Sequence, residues 1–386
     1  MKQAIKELFE QYLAFLARAV VNRFRPYVIA ITGSSGKTTV KYMVGEFLKA
    51  SDFDVLVAPG NMNTETGLPL AIIGFQKAPE NILSWVVASV VAPFMVFFKL
   101  KYPKYLVLEY AADKPDDIKY LIKIAEPDIA VITNIGVAHI EAFGSMKAIL
   151  EEKWQLAVAA REKVVCPEDI FEKGKDVGYP RAEVVSPSFR TVKARNIKFF
   201  PDKTEFELYI YSDKKVVEFE FLGKHNILNL ELATLAAMSA GADKEKIIEA
   251  IPTLSPQSGR GNRIESLEDF VIIDESYNAN PLSMVAALEI LAQFKHSRKV
   301  AVLGEMKEIG PISEKSHHEI ANLARSTADY LIGVGEGFKG LNLDNWYPNV
   351  EELNREINTL LKKGDVVLVK GSHANHLEKL IEKLAK

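Results

Sequence analysis

Residues 32–39 read Thr-Gly-Ser-Ser-Gly-Lys-Thr-Thr, and their flanks constrain the fold more than any other part of the chain. The preceding run, Pro26–Thr32, is apolar and β-branched, as a strand buried on both faces must be. The following run, Val40–Ala50, places Met43, Val44, Phe47 and Leu48 on one side of a helix. Strand, glycine turn and helix in that order predict an α/β sheet with a phosphate-binding loop at its edge. In such a loop Gly33, Ser34, Ser35, Gly36 and Thr39 surround a nucleoside triphosphate. Lys37 neutralises its β and γ oxygens, and Thr38 turns a hydroxyl toward Mg2+. Ile31 stands where the usual pattern has its first glycine. A Gly-Lys-Thr met by chance in a loop is the plain alternative, and the flanking strand and helix weigh against it.

The 386 residues suffice for two or three domains with their own cores. A hydrophobic share of 48% and a charged share of 26% are those of a soluble globular chain. The net charge of −3, with no long basic run, argues against nucleic acid as the main partner. Cys166 is the only cysteine, which excludes an internal disulfide or thiolate metal cluster and suits a reducing cytoplasm. Lys2, Lys6, Glu7 and Glu10 interrupt the N-terminus, so no signal peptide is expected.

Three regions are expected. Residues 1–26 form an amphipathic helix with Ile5, Leu8, Phe9, Tyr12, Leu13, Leu16 and Val20 on one face. Residues 27–254 form a central domain, in which Tyr27–Thr32, Val55–Ala58, Tyr105–Glu109, Ile129–Thr133 and Lys163–Cys166 alternate with helical runs. That is the pattern of a mostly parallel, doubly wound sheet. Within this domain Glu205–Tyr211, a Ser-Asp-Lys-Lys turn and Val216–Phe221 predict a β-hairpin, followed by a helix at Ile227–Ala240. Pro252–Gly261 reads as a linker. Residues 255–386 resume the alternation and predict a smaller, Rossmann-like α/β domain that closes on the first.

Glu109 ends one predicted strand, and Asn134 and His139 follow the next. Ligands bind at that edge of open α/β sheets, so a carboxylate, an imidazole and the Thr38 hydroxyl would converge as an Mg2+ site near the phosphates. Taken singly, Glu109 reads equally as a surface carboxylate and His139 as a satisfied loop histidine.

Several further segments resemble the Mur ligases, ATP-dependent amide-bond-forming enzymes of cell-wall peptide assembly. They are Gly60-Asn-Met-Asn-Thr-Glu-Thr-Gly-Leu-Pro-Leu70, Thr133-Asn-Ile-Gly-Val-Ala-His-Ile-Glu-Ala-Phe-Gly-Ser145 and Gly223-Lys-His-Asn-Ile-Leu-Asn229. Asp274-Glu-Ser-Tyr-Asn-Ala-Asn-Pro281 and Val302-Leu-Gly-Glu-Met-Lys-Glu-Ile-Gly310 follow in the family's order. The resemblance runs from about residue 27 to the C-terminus and is greatest to the type that adds D-alanyl-D-alanine. It implies ATP and two Mg2+ as cofactors, and a cell-wall precursor and an amino acid or dipeptide as partners. Thr38 and Glu109 would bind metal, with His139 and a carbamylated Lys153 at the second ion. Asn229 would meet adenine, Arg260 the γ-phosphate and Asp274 the ribose, with Asn278 a nucleotide-binding residue of the same motif. Asn61, Asn63, Asn134, Ser276 and Tyr277 would serve the substrates. Without the resemblance, Lys153 is a solvated helix lysine, Asn229 a helix-surface amide and Arg260 a linker arginine. The implied chemistry is phosphorylation of an acceptor carboxylate to an acyl phosphate, which an incoming amine attacks.

The sequence departs from the family in places. One helix precedes the phosphate loop where the family has a whole domain for the UDP-sugar. Glu275 and Glu305 replace the usual aspartates, and His373 stands where an arginine is common. Within an apolar insertion at 77–104, Ile82–Phe98 carries no charge and holds Trp85 and Pro93. It is expected to pack on the first helix as a local core or dimer contact. Alternatively it is an interfacial patch on the inner membrane face, with Arg23, Lys99 and Lys101 at the headgroups, serving a lipid-linked acceptor. A lipid-intermediate amidating ligase would need a zinc cysteine cluster that this chain lacks. An inactive nucleotide-binding scaffold is the remaining alternative.

Overall fold

The computed structural model describes residues 2–79, 81–98, 100–188 and 190–385; Lys99 and the side chain of Ile5 lie outside the described residues. Six strands build the first sheet: β1 (Tyr27–Thr32), β2 (Val55–Val57), β3 (Tyr105–Glu109), β4 (Ile129–Ile132), β5 (Lys163–Val165) and β6 (Glu183–Val185). Their order is β2-β3-β1-β4-β5-β6, and every pairing is parallel. Successive side chains leave a strand on opposite faces, so β1 gives Val28 and Ala30 to one core and Ile29 and Ile31 to another. Both faces must then be covered, which is why these strands read as unbroken apolar runs. Helix α1 (Lys2–Phe24) puts Leu13, Leu16, Ala17 and Val20 into the first core. Helix α2 (Lys37–Ala50) puts Met43, Val44, Phe47 and Leu48 into the second. The winding reverses at β1, which lies between β3 and β4, and a crevice opens at the carboxyl ends of these three strands.

The expected hairpin is a three-stranded antiparallel meander of β7 (Val192–Phe199), β8 (Thr204–Ile210) and β9 (Asp213–Phe219). Its turn is Tyr211–Ser212 and not Ser212–Lys215, because Tyr211 adopts a left-handed φ of 53° and Ile210 pairs with Asp213. Strand β7 buries only Val192 and Ala194, too little apolar surface to stand out as a strand in the sequence.

The second sheet holds β10 (Asn262–Glu265), β11 (Val271–Glu275), β12 (Lys299–Gly304), β13 (Tyr330–Val334), β14 (Asn345–Tyr347) and β15 (Val366–Lys370). Its order is β10-β11-β15-β12-β13-β14, parallel except for the β10–β11 pair. Again each central strand feeds two cores: Ala301 and Leu303 face one side, Val300 and Val302 the other.

Between β2 and β3 the chain forms α3 (Gly67–Ile73) and α4 (Ile82–Phe98), and α4 packs along α1. Phe9 meets Trp85 edge-on with centroids 5.3 Å apart. Tyr12 donates its hydroxyl to Ser89 O at 3.0 Å. Pro93 has no N–H for that carbonyl, so Tyr12 replaces the helical bond the proline removes. Arg23 Nη1 caps the last turn of α4 through Val96 O (3.1 Å) and Phe97 O (3.2 Å). With Phe9 and Tyr12 turned to α4, Leu8 leaves the expected buried face and is 68% exposed. Among the described residues no helix is long and apolar enough to cross a membrane.

Candidate active site

The phosphate loop joins β1 to α2 at the crevice. Gly36 has φ 78°, and a Cβ there would lie 2.5 Å from Asn229 Oδ1. A Cβ on Gly33, at φ 149°, would collide with Thr133 Oγ1. Both positions require glycine. No side chain caps the first turn of α2, so its free N–H groups and the positive end of its dipole face the loop. Residues just past β4 hold the loop in shape. Thr133 Oγ1 donates to Ser35 O (2.6 Å), Ser35 N to Asn134 Oδ1 (2.9 Å) and Ser34 Oγ to Gly136 O (2.8 Å). Ile31 belongs to β1 and is wholly buried, so the position usually held by glycine lies inside the sheet. Lys37 Nζ arches back to Gly33 O at 2.9 Å.

Glu109, at the end of β3, accepts from Thr38 Oγ1 and Asn63 Nδ2, each at 2.8 Å, and pairs with Lys41 Nζ at 3.3 Å. Burial acts to raise its pKa, but Lys41, Lys37 and Arg260 outweigh that and hold the carboxyl below the usual carboxylate range. Burial pushes Lys37 below the ordinary ammonium range, with Glu109 opposing. Thr38 and Glu109 are therefore adjacent hard oxygen donors. No group of three or more His, Cys, Asp or Glu forms a metal cage among the described residues.

His139, at φ 53°, stands between Asp113 Oδ1 (3.5 Å) and Glu308 Oε2 (2.7 Å), the latter from the second domain. Burial lowers its pKa despite these carboxylates. Lys153, on the helix Met146–Ala159, is buried and makes no hydrogen bond or ion pair among the described residues. Burial first, then the charge of Lys37, pushes its ammonium down to about 7.

A cleft of about 740 Å³ separates the carboxyl ends of the two sheets. The loop, Asn61, Asn63 and Glu109 form one wall; Arg260, Tyr277, Asn278 and Lys370 form the other. The Arg260 guanidinium lies 3.8 Å from the Tyr277 ring centroid, a cation–π stack that fixes its direction. Asn280 Nδ2 also reaches across to Ser34 O at 3.4 Å.

The Mur ligase middle domain matches residues 31–237, and the Mur ligase, glutamate ligase domain matches residues 259–373. The chain belongs to the Mur ligase family. A UDP-N-acetylmuramoyl-tripeptide--D-alanyl-D-alanine ligase of Escherichia coli is 28% identical, over 96% of this chain and 80% of its own length. The crystal structure of MurF ligase from Thermotoga maritima in complex with ADP is similar at a TM-score of 0.82 and 29% identity, over 97% of this chain and 83% of that one. MurF from Acinetobacter baumannii is similar at 0.80 and 28%, over 97% and 80%.

In this Mur ligase, Ser34, Ser35, Gly36, Lys37, Thr38, Thr39, Asn61, Asn63, Glu109 and Asn134 line the cleft, as do His139, Asn229, Arg260, Tyr277 and Asn278. Gly33 and Lys153 lie outside the lining. Asp274 and Ser276 also lie outside it, because Asp274 accepts from Gly259 N (2.9 Å), Ser276 N (3.1 Å) and Ser276 Oγ (2.6 Å). Its carboxylate thus shapes the turn that presents Arg260 and Tyr277. The sequence reading missed Lys41, Asp113, His225, Glu308 and Lys370. Lys41 had a signal, since it stands one helical turn after Lys37. Glu308 sits inside the recognised segment Val302–Gly310 and Lys370 three residues before His373, but nothing short of domain packing brings them to the cleft. Glu275, in place of the family's aspartate, reaches Lys370 Nζ at 3.2 Å. Glu305 pairs with Lys307 at 2.7 Å, and His373 stacks on Tyr277 with centroids 6.1 Å apart.

Proposed function

We propose that this chain is a cytoplasmic ATP-dependent ligase that joins D-alanyl-D-alanine to the free carboxylate of a UDP-N-acetylmuramoyl-tripeptide. The observation that carries the reading is one cleft in which Lys37 and Arg260, from different domains, face the Thr38–Glu109 pair. Relatives of that name match nearly the whole chain, and one solved relative holds ADP.

The catalytic bodies are residues 27–254 and 255–386. The loop amides and Lys37 receive the β and γ phosphates, and Asn229, packed against Gly36, lies beside the adenine. The acceptor carboxylate, near Asn61, Asn63 and Asn134, attacks the γ-phosphorus, the bond to ADP breaks, and an acyl phosphate forms. The amine then attacks the acyl carbon, the C–N bond forms, and phosphate leaves. Lys37 and Arg260 neutralise the charge that develops on the transferred phosphoryl group. Closure of Asn278 and Tyr277 over the cleft keeps water from the acyl phosphate.

Thr38 and Glu109 fit one Mg2+, and His139 with Lys153 a second. When bound, the ions supply charge neutralisation on phosphate oxygens. Lys153 suits carbamylation, because a buried, unpartnered amine with a pKa of about 7 holds a substantial share of its neutral, nucleophilic form at neutral pH. Adding CO2 turns a cation that opposes Lys37 into an anion that attracts it.

The test is release of ADP and phosphate with ATP, Mg2+, UDP-N-acetylmuramoyl-tripeptide and D-alanyl-D-alanine, with products identified by mass. The reading expects release only when both substrates are present, together with a ligated product. Tight ATP binding without release from any acceptor would make the chain a scaffold. Release only with a lipid-linked acceptor would move the substrate and retain the chemistry.

A further inference from the structure

Helix α4 buries Ala88, Ala92 and Val96 toward the core and turns Val86, Val90, Phe94, Phe97 and Phe98 outward. The outward residues recur at helical spacing on one face, and Phe97 and Phe98 are 64% and 74% exposed. Phe94 and Phe98 stack on each other on that face, with centroids 5.9 Å apart. Leu100, just past the helix, is 87% exposed, and α1 adds Phe15 at 59%. A soluble monomer rarely leaves so continuous an apolar surface open.

The charges around this face are one-sided. Residues 11–25 and 82–104 hold Arg18, Arg23, Arg25, Lys99, Lys101 and Lys104 and no acidic residue, in a chain whose net charge is −3. The two acidic residues of α1, Glu7 and Glu10, lie in its first half, away from the carboxyl end of α4 that Arg23 caps. Arg23 sits at the carboxyl end of α4, where it bonds Val96 O and Phe97 O. Arg25, Lys101 and Lys104 are exposed near the same end. Apposing two copies through this face would bring like charges together, whereas an anionic surface would neutralise them.

We propose that α1 and α4 form a docking surface for an anionic phospholipid bilayer. The helix lies in the interface plane with its phenylalanines among the acyl chains and the basic residues at the headgroups. An interfacial helix ordinarily needs a polar face of its own; here α1 and α3 occupy that side. At 17 residues, α4 is too short and too firmly packed to span. Its first turn supplies Trp85 to the cleft wall, so docking brings that end of the cleft to the lipid. Neither the apolar face nor its charge depends on what the cleft catalyses.

The test is flotation of the full chain with phosphatidylglycerol–phosphatidylethanolamine vesicles and with phosphatidylcholine vesicles, at low and high salt. Binding is expected to be stronger to the anionic vesicles and weakened by salt. The Phe94→Ser/Phe97→Ser/Phe98→Ser variant should bind them about tenfold or more weakly, and Lys101→Glu/Lys104→Glu should lose the preference for anionic lipid. Nucleotide binding serves as the check that each variant is folded. Absence of binding to either vesicle, or equal binding by the triple variant, overturns the proposal. So does a dimer in lipid-free solution that the triple variant converts to monomer, which would assign the face to a second copy.

Discussion

At the scale of single residues, buried charges dominate the site. Glu109 compensates Lys41 in a pair whose side chains are each 3% exposed. Glu109→Gln leaves that ammonium with the Gly60 carbonyl at 2.7 Å but no counter-charge, and a loss of about 3 kcal/mol in denaturant unfolding at pH 7 is expected. The wild-type carboxyl is depressed, so its contribution is present above the unfolded pKa and disappears as pH falls through the folded one. The two proteins should therefore converge in strong acid. Lys153 behaves oppositely. Its folded pKa of about 7 lies below the ordinary 10.5, so burying it costs most below pH 7, and stability is regained as pH rises from there toward 10.5. In CO2-free buffer Lys153→Met should raise stability by a few kcal/mol at pH 6 and by little at pH 10. The same variant should abolish ligation, if the lysine carries the carbamate. Gly36→Ala combines a left-handed φ with a contact on Asn229. Strain of about 1–2 kcal/mol in the loop should cost at least about tenfold in ATP affinity by calorimetry. These roles were unevenly legible. Lys37, Thr38 and Gly36 declare themselves through local spacing, because one loop makes the phosphate site. Asp274 does not, because whether a carboxylate faces a ligand or its own turn depends on backbone geometry two residues on.

At the scale of elements, periodicity is informative where burial is complete. Strands β1, β3, β4, β11 and β12 are covered on both faces and stand out as apolar runs. Edge strands β10 and β14 and the half-exposed β7 bury too little to do so. That α4 packs on α1 was expected from its uncharged run, but the contacts that fix the seam could not be read from either helix alone. Pro93 leaves Ser89 O without its helical donor, and the replacement is Tyr12, 77 residues away. Tyr12→Phe removes only that hydroxyl, and a loss of about 1 kcal/mol by denaturant unfolding is expected, with nucleotide binding unchanged.

At the scale of the whole molecule, the site exists because two sheets point their carboxyl edges at each other. Glu308 and His139, 2.7 Å apart, form a polar contact between the two domains. Glu308→Ala should open the resting protein, seen as a larger radius of gyration by small-angle scattering that ATP and both substrates reverse. A fall of about tenfold in kcat/KM should accompany it. The sequence by itself determined the strand–loop–helix that binds phosphate, the α/β class and the family, because all three rest on short-range backbone geometry and on runs of apolar residues. Tertiary structure alone decided which carboxylates meet which ammonium groups and which face of α4 stays open. Both depend on residues that are distant in the chain and become neighbours only when the sheets and helices pack.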